Sequence, residues 1–247
     1  MLSTKWAAAT FWSPRHAGGA DGPIHAKPDA LVQSVEKSLR QLHTDYLDIL
    51  HFHGLRVEQY DEVMQRFAPV VARLKEQGKV RAVGLSERYI ADAAHDAVTL
   101  GLQRDPQFWD VLMLKYGILN QVAADKALPL ALKHNVGVMN MAAVRYKLSI
   151  AQKLRETVAD WKARGLIARD SLSDEDPLDW LLSEKVSSIA AAAYKFAADH
   201  PAVSTVITGT MSLGHLEENA EALEDPTLPE AHKARLRKLF GHIAEYA

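Results

Sequence analysis

Ser34-Val35-Glu36-Lys37-Ser38-Leu39-Arg40-Gln41-Leu42-His43-Thr44-Asp45-Tyr46-Leu47-Asp48-Ile49-Leu50-His51-Phe52-His53 decides the fold. Val35, Leu39 and Leu42 recur at helical spacing, and the run then passes into Leu47–His53, a compact apolar strand that ends on a histidine. In a parallel α/β barrel the strand C-termini carry the chemistry, so His53 points to a site. On the N-terminal side, Leu2–Trp6 reads as a first strand, with Met1 almost on top of it. A loop from about Ser13 to Pro28 follows, with turn signals at Gly18-Gly19 and Asp21-Gly22-Pro23, and Pro28-Asp29-Ala30 opens the helix that runs to Leu42.

The alternation continues toward the C-terminus. Val57–Gln77 is a helix with Val63, Phe67, Val70, Val71 and Leu74 on one side and Gly78 as its stop. Val80–Ser86 is a strand, Ile90–Leu100 a helix, Val111–Tyr116 a strand, Asp125–His134 a helix and Val136–Val144 a strand. A polar region from about Arg145 to Asp176 holds a helix near Ile150–Gly165. Pro177–His200 holds one or two more, Val203–Gly209 is the last strand, and Leu213–Leu223 and Pro229–Tyr246 close the chain. Near-continuous apolar strands separated by helices belong to a parallel sheet buried on both faces. The expectation is α/β: a TIM (β/α)8-type barrel, incomplete, with about six parallel strands where closure needs eight, forming one domain over residues 1–247. Open sheet edges would invite an oligomer or a covering loop.

Composition narrows the function classes. The chain has 247 residues, 48% of them hydrophobic, enough for one large α/β core. A net charge of -2 supplies no basic field for nucleic acid or acidic lipid. With no cysteine, disulfides and thiolate chemistry are excluded, which suits a reducing cytoplasm. No charged segment followed by an apolar core marks a secretory leader, and no apolar run is long enough to cross a bilayer.

Four motifs in order carry a resemblance: Ser34–His53; Leu74-Lys75-Glu76-Gln77-Gly78-Lys79-Val80-Arg81-Ala82-Val83-Gly84-Leu85-Ser86; Val203-Ser204-Thr205-Val206-Ile207-Thr208-Gly209-Thr210; and Leu216-Glu217-Glu218-Asn219. Together they resemble the aldo-keto reductases from Lys5 to the C-terminus. The resemblance implies a (β/α)8 barrel and NAD(P)H-dependent reduction of aldehyde or ketone carbonyls, or the reverse oxidation of alcohols. It implies a catalytic Asp, Tyr, Lys and His. Lys5, in Ser3-Thr4-Lys5, looks like the lysine and His53 like the histidine. The family's aspartate and tyrosine lie on segments before the lysine strand, so the chain resembles family strands three to eight, an N-terminally truncated member.

In such a reduction a tyrosine donates a proton to the carbonyl oxygen, its ordinary pKa of about 10 lowered by a lysine ammonium beside it. Without the phenol, activity is expected to be impaired by roughly 10²–10⁴. His53, with an ordinary imidazole pKa of about 6.5, is a candidate substitute donor, as are Tyr89 and Tyr116. The resemblance places the cofactor at Ser86, Gly209, Thr210, His215, Glu218 and Asn219. Where the family has an asparagine after Ser86 this chain has Glu87; Met113 replaces a glutamine, and Met141 the aromatic that stacks on nicotinamide. NADP(H) or NAD(H) binding is therefore expected to be weak or lost. Gly209 and His215 stand where many members carry lysine and arginine for the 2′-phosphate of NADP, and an imidazole holds phosphate less well than a guanidinium fork.

Blander readings accompany each of these. A histidine ending a buried strand is often a satisfied polar residue, Lys5 suits a frayed surface strand, and Gly209-Thr210 suits a plain strand-to-helix turn. Trp6 and Trp12 suit either a substrate mouth or packing. His51 faces the same side as His53, lying deeper in the barrel or contributing to hydrogen bonding there, but no third ligand has matching spacing, so no metal is expected. The rival function class is a noncatalytic protein: a pseudoenzyme, a nucleotide-binding or scaffold protein, or a gene fragment.

Overall fold

The computed structural model describes residues 1–8, 24 and 26–245. Trp12, Tyr246 and the glycine-rich part of the loop after the first strand lie outside the described residues. The chain divides into two units, residues 1–114 with 130–137, and residues 115–129 with 138–247.

In the first unit, β1 (Ser3–Trp6), β2 (Leu47–His53), β3 (Val80–Ser86) and β4 (Val111–Lys115, its last residue assigned to the second unit) lie side by side in chain order. All are parallel. The register runs straight across, Lys5 to His51 to Gly84 to Val111, and one row on, Trp6 to Phe52 to Leu85 to Leu112. Side chains in a strand alternate faces, so these two rows point to opposite sides. The Trp6 row is the helix side. Trp6 lies 5.5 Å from Phe52 and 4.7 Å from Phe67, and Phe52 lies 5.7 Å from Trp109, ring centre to ring centre.

Three helices cover that side. α1 (Pro28–Leu42) opens with proline in its first turn, where a missing N–H costs nothing, and buries Leu31, Val35 and Leu39. α2 (Tyr60–Glu76), preceded by a 3₁₀ turn over Val57–Gln59, buries Val63, Phe67, Val70, Val71 and Leu74. Gly78 then takes φ +72°, a left-handed turn that a side chain resists, and Lys79 N–H returns to Leu74 O at 3.0 Å. α3 spans Asp96–Arg104.

In the second unit, β5 (Gly137–Met141, its first residue assigned to the first unit) pairs parallel with β6 (Thr205–Val206). The helices α4 (Ala127–His134, shared between the units), α5 (Tyr146–Ser149), α6 (Ala151–Ala163), α7 (Ile189–Ala198), α8 (Leu213–Glu224) and α9 (Glu230–Phe240) complete the chain. The Asn140 side chain, fully buried, accepts from Tyr116 N–H at 2.7 Å and donates to Tyr116 O at 2.9 Å, satisfying backbone as a neighbouring strand would. Trp161 packs on Phe240 with ring centres 5.5 Å apart. Among the described residues, six parallel strands alternate with helices, an incomplete α/β barrel fold where closure of a ring takes eight. No helix among the described residues is long and apolar enough to cross a membrane.

Several expected elements shift, Val136–Val144 to Gly137–Met141 and Pro229–Tyr246 to Glu230–Phe240 among them, and two have a visible cause. The helix expected at Ile90–Leu100 starts at Asp96, because Asp92 takes the first helical amides, Asp96 N–H and Ala97 N–H, each at 2.8 Å. The last strand shrinks to Thr205–Val206, since the segment toward Gly209 lies largely exposed.

Candidate active site

The face of the first unit's sheet opposite the aromatic cluster carries the predicted pair. Lys5 and His51 are register partners; His53 sits two rows further toward the strand C-termini, beside Ser86 and, beyond it, Met113. Lys5 and His53 therefore share a strand face, separated by one row. His53 Nδ1 and Ser86 Oγ are hydrogen-bonded at 3.2 Å, and Ser86 is fully buried.

The electrostatics of this face follow from burial. Desolvation pushes His53 down to about 4, with the positive charges of Lys5 and Arg88 adding to it. His51 also falls to about 4, first through burial, then through Lys5 and His53. Lys5 keeps solvent access, and partial desolvation of its ammonium lowers its pKa. At neutral pH both imidazoles are uncharged. His53 can thus orient or polarise a carbonyl as a neutral donor, but its imidazolium is rarely populated, which overturns the expectation that an ordinary pKa equips it to replace the phenol.

His51 was expected to lie deeper in the barrel or to contribute to hydrogen bonding there. It is 0% exposed, and among the described residues neither ring nitrogen finds a partner, so the hydrogen bonding is not found. Its ring fills the notch left by Gly84: a Cβ built there would come within 2.1 Å of His51 Nδ1. The sequence signal for that approach was a glycine in a strand interior. No group of three metal-ligating side chains stands together among the described residues.

Glu87, in place of the family's asparagine, is turned away from any carboxamide role. Its carboxylate accepts from His95 Nδ1 at 2.7 Å with both side chains fully buried, and its backbone N–H donates to Met113 O. The sequence reading missed His95 as its partner; the signal was a carboxylate at the end of a buried strand, which must be paired. Of the polar pair that would face a nicotinamide amide, Ser86 remains.

The tyrosines are engaged elsewhere. Tyr60 OH donates to Asp105 at 2.7 Å, Tyr116 is hydrogen-bonded to Arg237 and stacked on Phe196, and the Tyr46 ring lies under Arg81. Tyr89 packs against His95, Tyr146 is exposed and Tyr194 belongs to the second unit's cavity.

The remaining predicted residues gather within the second unit. Gly209, Thr210, His215, Glu218 and Asn219 line one cavity of about 410 Å³, together with Ser149, Ser188 and Tyr194, which the sequence reading missed because they come from α5, the cap of α7 and α7 itself. Gly209 has open space where a side chain would stand. α8 begins at this cavity, with Ser212 Oγ accepting from His215 N–H at 3.4 Å. Open glycine backbone before a helix N-terminus suits a phosphate, so the phosphate end of a dinucleotide fits these residues.

L-galactose dehydrogenase of Arabidopsis thaliana is 26% identical over 196 residues, 78% of this chain and 57% of that protein. The uncharacterized oxidoreductase YqkF of Bacillus subtilis is 25% identical over 243 residues, 93% of this chain and 70% of that protein. The structure of aldo-keto reductase AKR11C1 from Bacillus halodurans in its holo form matches with a TM-score of 0.68 at 22% identity, over 99% of this chain and 74% of that one. This chain thus spans just over half the length of the first of these and about seven-tenths of the other two. The sequence profile of the Aldo/keto reductase family matches residues 1–240, and the chain belongs to that family.

Proposed function

We propose that this chain is a nicotinamide-dependent oxidoreductase acting on small aldehyde or ketone carbonyls in the cytoplasm, with turnover by the chain alone impaired for want of a proton donor. The observation that carries the reading is the shared strand face of Lys5 and His53, with Ser86 held against His53. A nicotinamide cofactor, when bound, supplies the hydride. Within the second unit, Gly209, Thr210, His215, Glu218 and Asn219 would hold its phosphates and adenosine. His53 orients the carbonyl as a neutral imidazole, and Lys5 lends positive charge as negative charge develops on oxygen. Among the described tyrosines of the first unit, Tyr60 donates to Asp105, Tyr46 lies under Arg81 and Tyr89 packs on His95, and His53 with its pKa near 4 is a poor acid at neutral pH.

A noncatalytic, nucleotide-binding role is the second reading, favoured by the diversion of Glu87 to His95. Two measurements on the full chain separate the readings. Protein fluorescence titrated with NADH and NADPH reports binding. Absorbance at 340 nm with 4-nitrobenzaldehyde reports turnover, expected to be depressed about 10²–10⁴-fold relative to a family member with a complete tetrad and further reduced by His53→Ala. Binding without any turnover supports the noncatalytic reading, and absence of dinucleotide binding refutes both.

A further inference from the structure

We propose that Lys5 carries a second activity on the strand face it shares with His51 and His53: its free amine condenses with small aldehydes and ketones to form a Schiff base, with no dinucleotide taking part. The inference uses the same face as the proposed carbonyl reduction and is independent of hydride transfer there.

A lysine amine attacks a carbonyl once it is unprotonated and within reach. Desolvation favours the neutral amine, whereas a carboxylate beside it favours the ammonium. Lys5 has the first influence without the second. Its side chain keeps solvent access on β1, the outermost strand in the order of the described sheet, so a small carbonyl compound reaches it from water. Among the described residues no hydrogen bond or ion pair holds its ammonium, and desolvation alone draws its pKa below the ordinary lysine value. Carboxylates of the adjoining elements are committed elsewhere. Asp48 lies on the opposite face of β2 from His51, and accepts from Leu2 N–H at 2.7 Å and from Arg81 at 3.0 Å. Glu87 is paired with His95. α1 lies on the other side of β1, where Ser38 meets Thr4; its Glu36 is paired with Lys79, and its Asp29 stands in the first turn.

The groups that do face Lys5 are neutral or positive. His51 is its register partner, His53 lies two rows on, and the charge of Lys5 is felt at both imidazoles. Arg88 acts on His53 with the same sign. None of these groups holds a proton on the amine. The condensation balances without a co-reactant. The nitrogen lone pair bonds to the carbonyl carbon as the C–O π pair moves to oxygen. Two protons leave nitrogen and two reach oxygen through water, the remaining C–O bond breaks, and water departs from the new C=N bond. Nothing is oxidised or reduced. The ammonium form of Lys5 serves the developing oxyanion of the proposed reduction and the amine form serves the condensation, so pH divides the two roles.

The test is reductive trapping on the full chain with propanal and sodium cyanoborohydride, no dinucleotide being added. Cyanoborohydride turns the imine into a stable propylamine, and peptide mass spectrometry locates it, fragment ions telling Lys5 from the Met1 amine. Lys37 and Lys238, both exposed, serve as references within the same chain. At about pH 7 Lys5 should gain the propyl group at least about fivefold faster than either, the direction required of a desolvated amine beside a carbonyl-orienting imidazole. The ratio should narrow toward about pH 10, where ordinary lysines lose their protons too. Ser3, exposed and two residues back on the same face of β1, allows a second measurement. Ser3→Asp sets a carboxylate near Lys5 and should slow its labelling at least about twofold, with Lys37 and Lys238 unmoved. Labelling of Lys5 no faster than the references, or a rate indifferent to Ser3→Asp, overturns the inference. That result leaves the oxidoreductase reading standing, and failure of dinucleotides to bind leaves the Schiff base standing, so the two fail separately.

Discussion

Gly84 is the sharpest probe of the first unit's sheet. Replacing it with alanine puts a methyl group 2.1 Å from His51 Nδ1, 2.5 Å from Cε1 and 2.9 Å from Cγ, against 3.4–4 Å for ordinary contact. The ring has to withdraw by more than about 1 Å in an interior packed to crystal density. It has little room: His51 is 0% exposed, with Lys5 as its register partner on the other side. Overpacking of this kind costs about 1–3 kcal/mol. Removing a strand glycine gives back about 0.5–1 kcal/mol of backbone entropy, so Gly84→Ala should lose about 1–2 kcal/mol net.

Urea denaturation followed by tryptophan fluorescence measures this as a lower midpoint at unchanged slope. His51→Ala opens the space the new methyl needs. The double variant His51→Ala with Gly84→Ala should therefore be more stable than the sum of the single changes by at least about 1 kcal/mol, a coupling of the size seen for residues in contact. A Gly84→Ala midpoint indistinguishable from the parent, or strict additivity in the double variant, would refute the packing argument.

The His51 and His53 imidazoles have native pKa values near 4, below the ordinary value, so the unfolded chain binds more protons between the two. Stability should be fully present above about pH 6.5 and fall toward pH 4, with His51 contributing about 1–3 kcal/mol of the loss; His51→Leu should flatten the urea midpoint measured between pH 7.5 and 4.5. Ser212→Ala removes the cap of α8 and should cost about 1 kcal/mol locally, seen as faster amide exchange in the first turn of that helix. Tyr60→Phe strips the acceptor from Trp109 Nε1, now 3.1 Å from the hydroxyl, and should cost about 1–3 kcal/mol in urea unfolding. Adding Trp109→Phe to that variant should cost less than Trp109→Phe does in the parent, because the buried N–H is already unpaired.

What was legible in the sequence depended on how local its physics was. β2 and β3 begin and end where their apolar runs do, because a strand covered on both sides needs little beyond those runs. α1 was equally plain, with Pro28 at its start and Val35 and Leu39 at helical spacing, although Leu42, read onto the same side, is exposed and Leu31 completes the buried stripe instead. The start of α3 was not, because it depends on the Asp92 carboxylate reaching two amides, which apolar periodicity does not register. The site divides the same way. Lys5, His53 and Ser86 were readable from motif and strand end, and the structure gathers them on one face. The Glu87–His95 pair and the unpartnered His51 were not, because both depend on which side chains meet across the fold.

The pKa of His53 ties fold to function. An imidazole that stays near its ordinary value can both take and give a proton at neutral pH. Here the burial that makes β2 a good interior strand, and the Lys5 charge that suits the face to a developing oxyanion, act together to hold His53 neutral. The features that equip this face to stabilise charge are therefore the ones that remove its capacity to neutralise that charge. On the proposed reading, electrostatic stabilisation and proton donation are separate duties: Lys5 and His53 would supply the first, while the Tyr60 hydroxyl of the same unit is committed to Asp105.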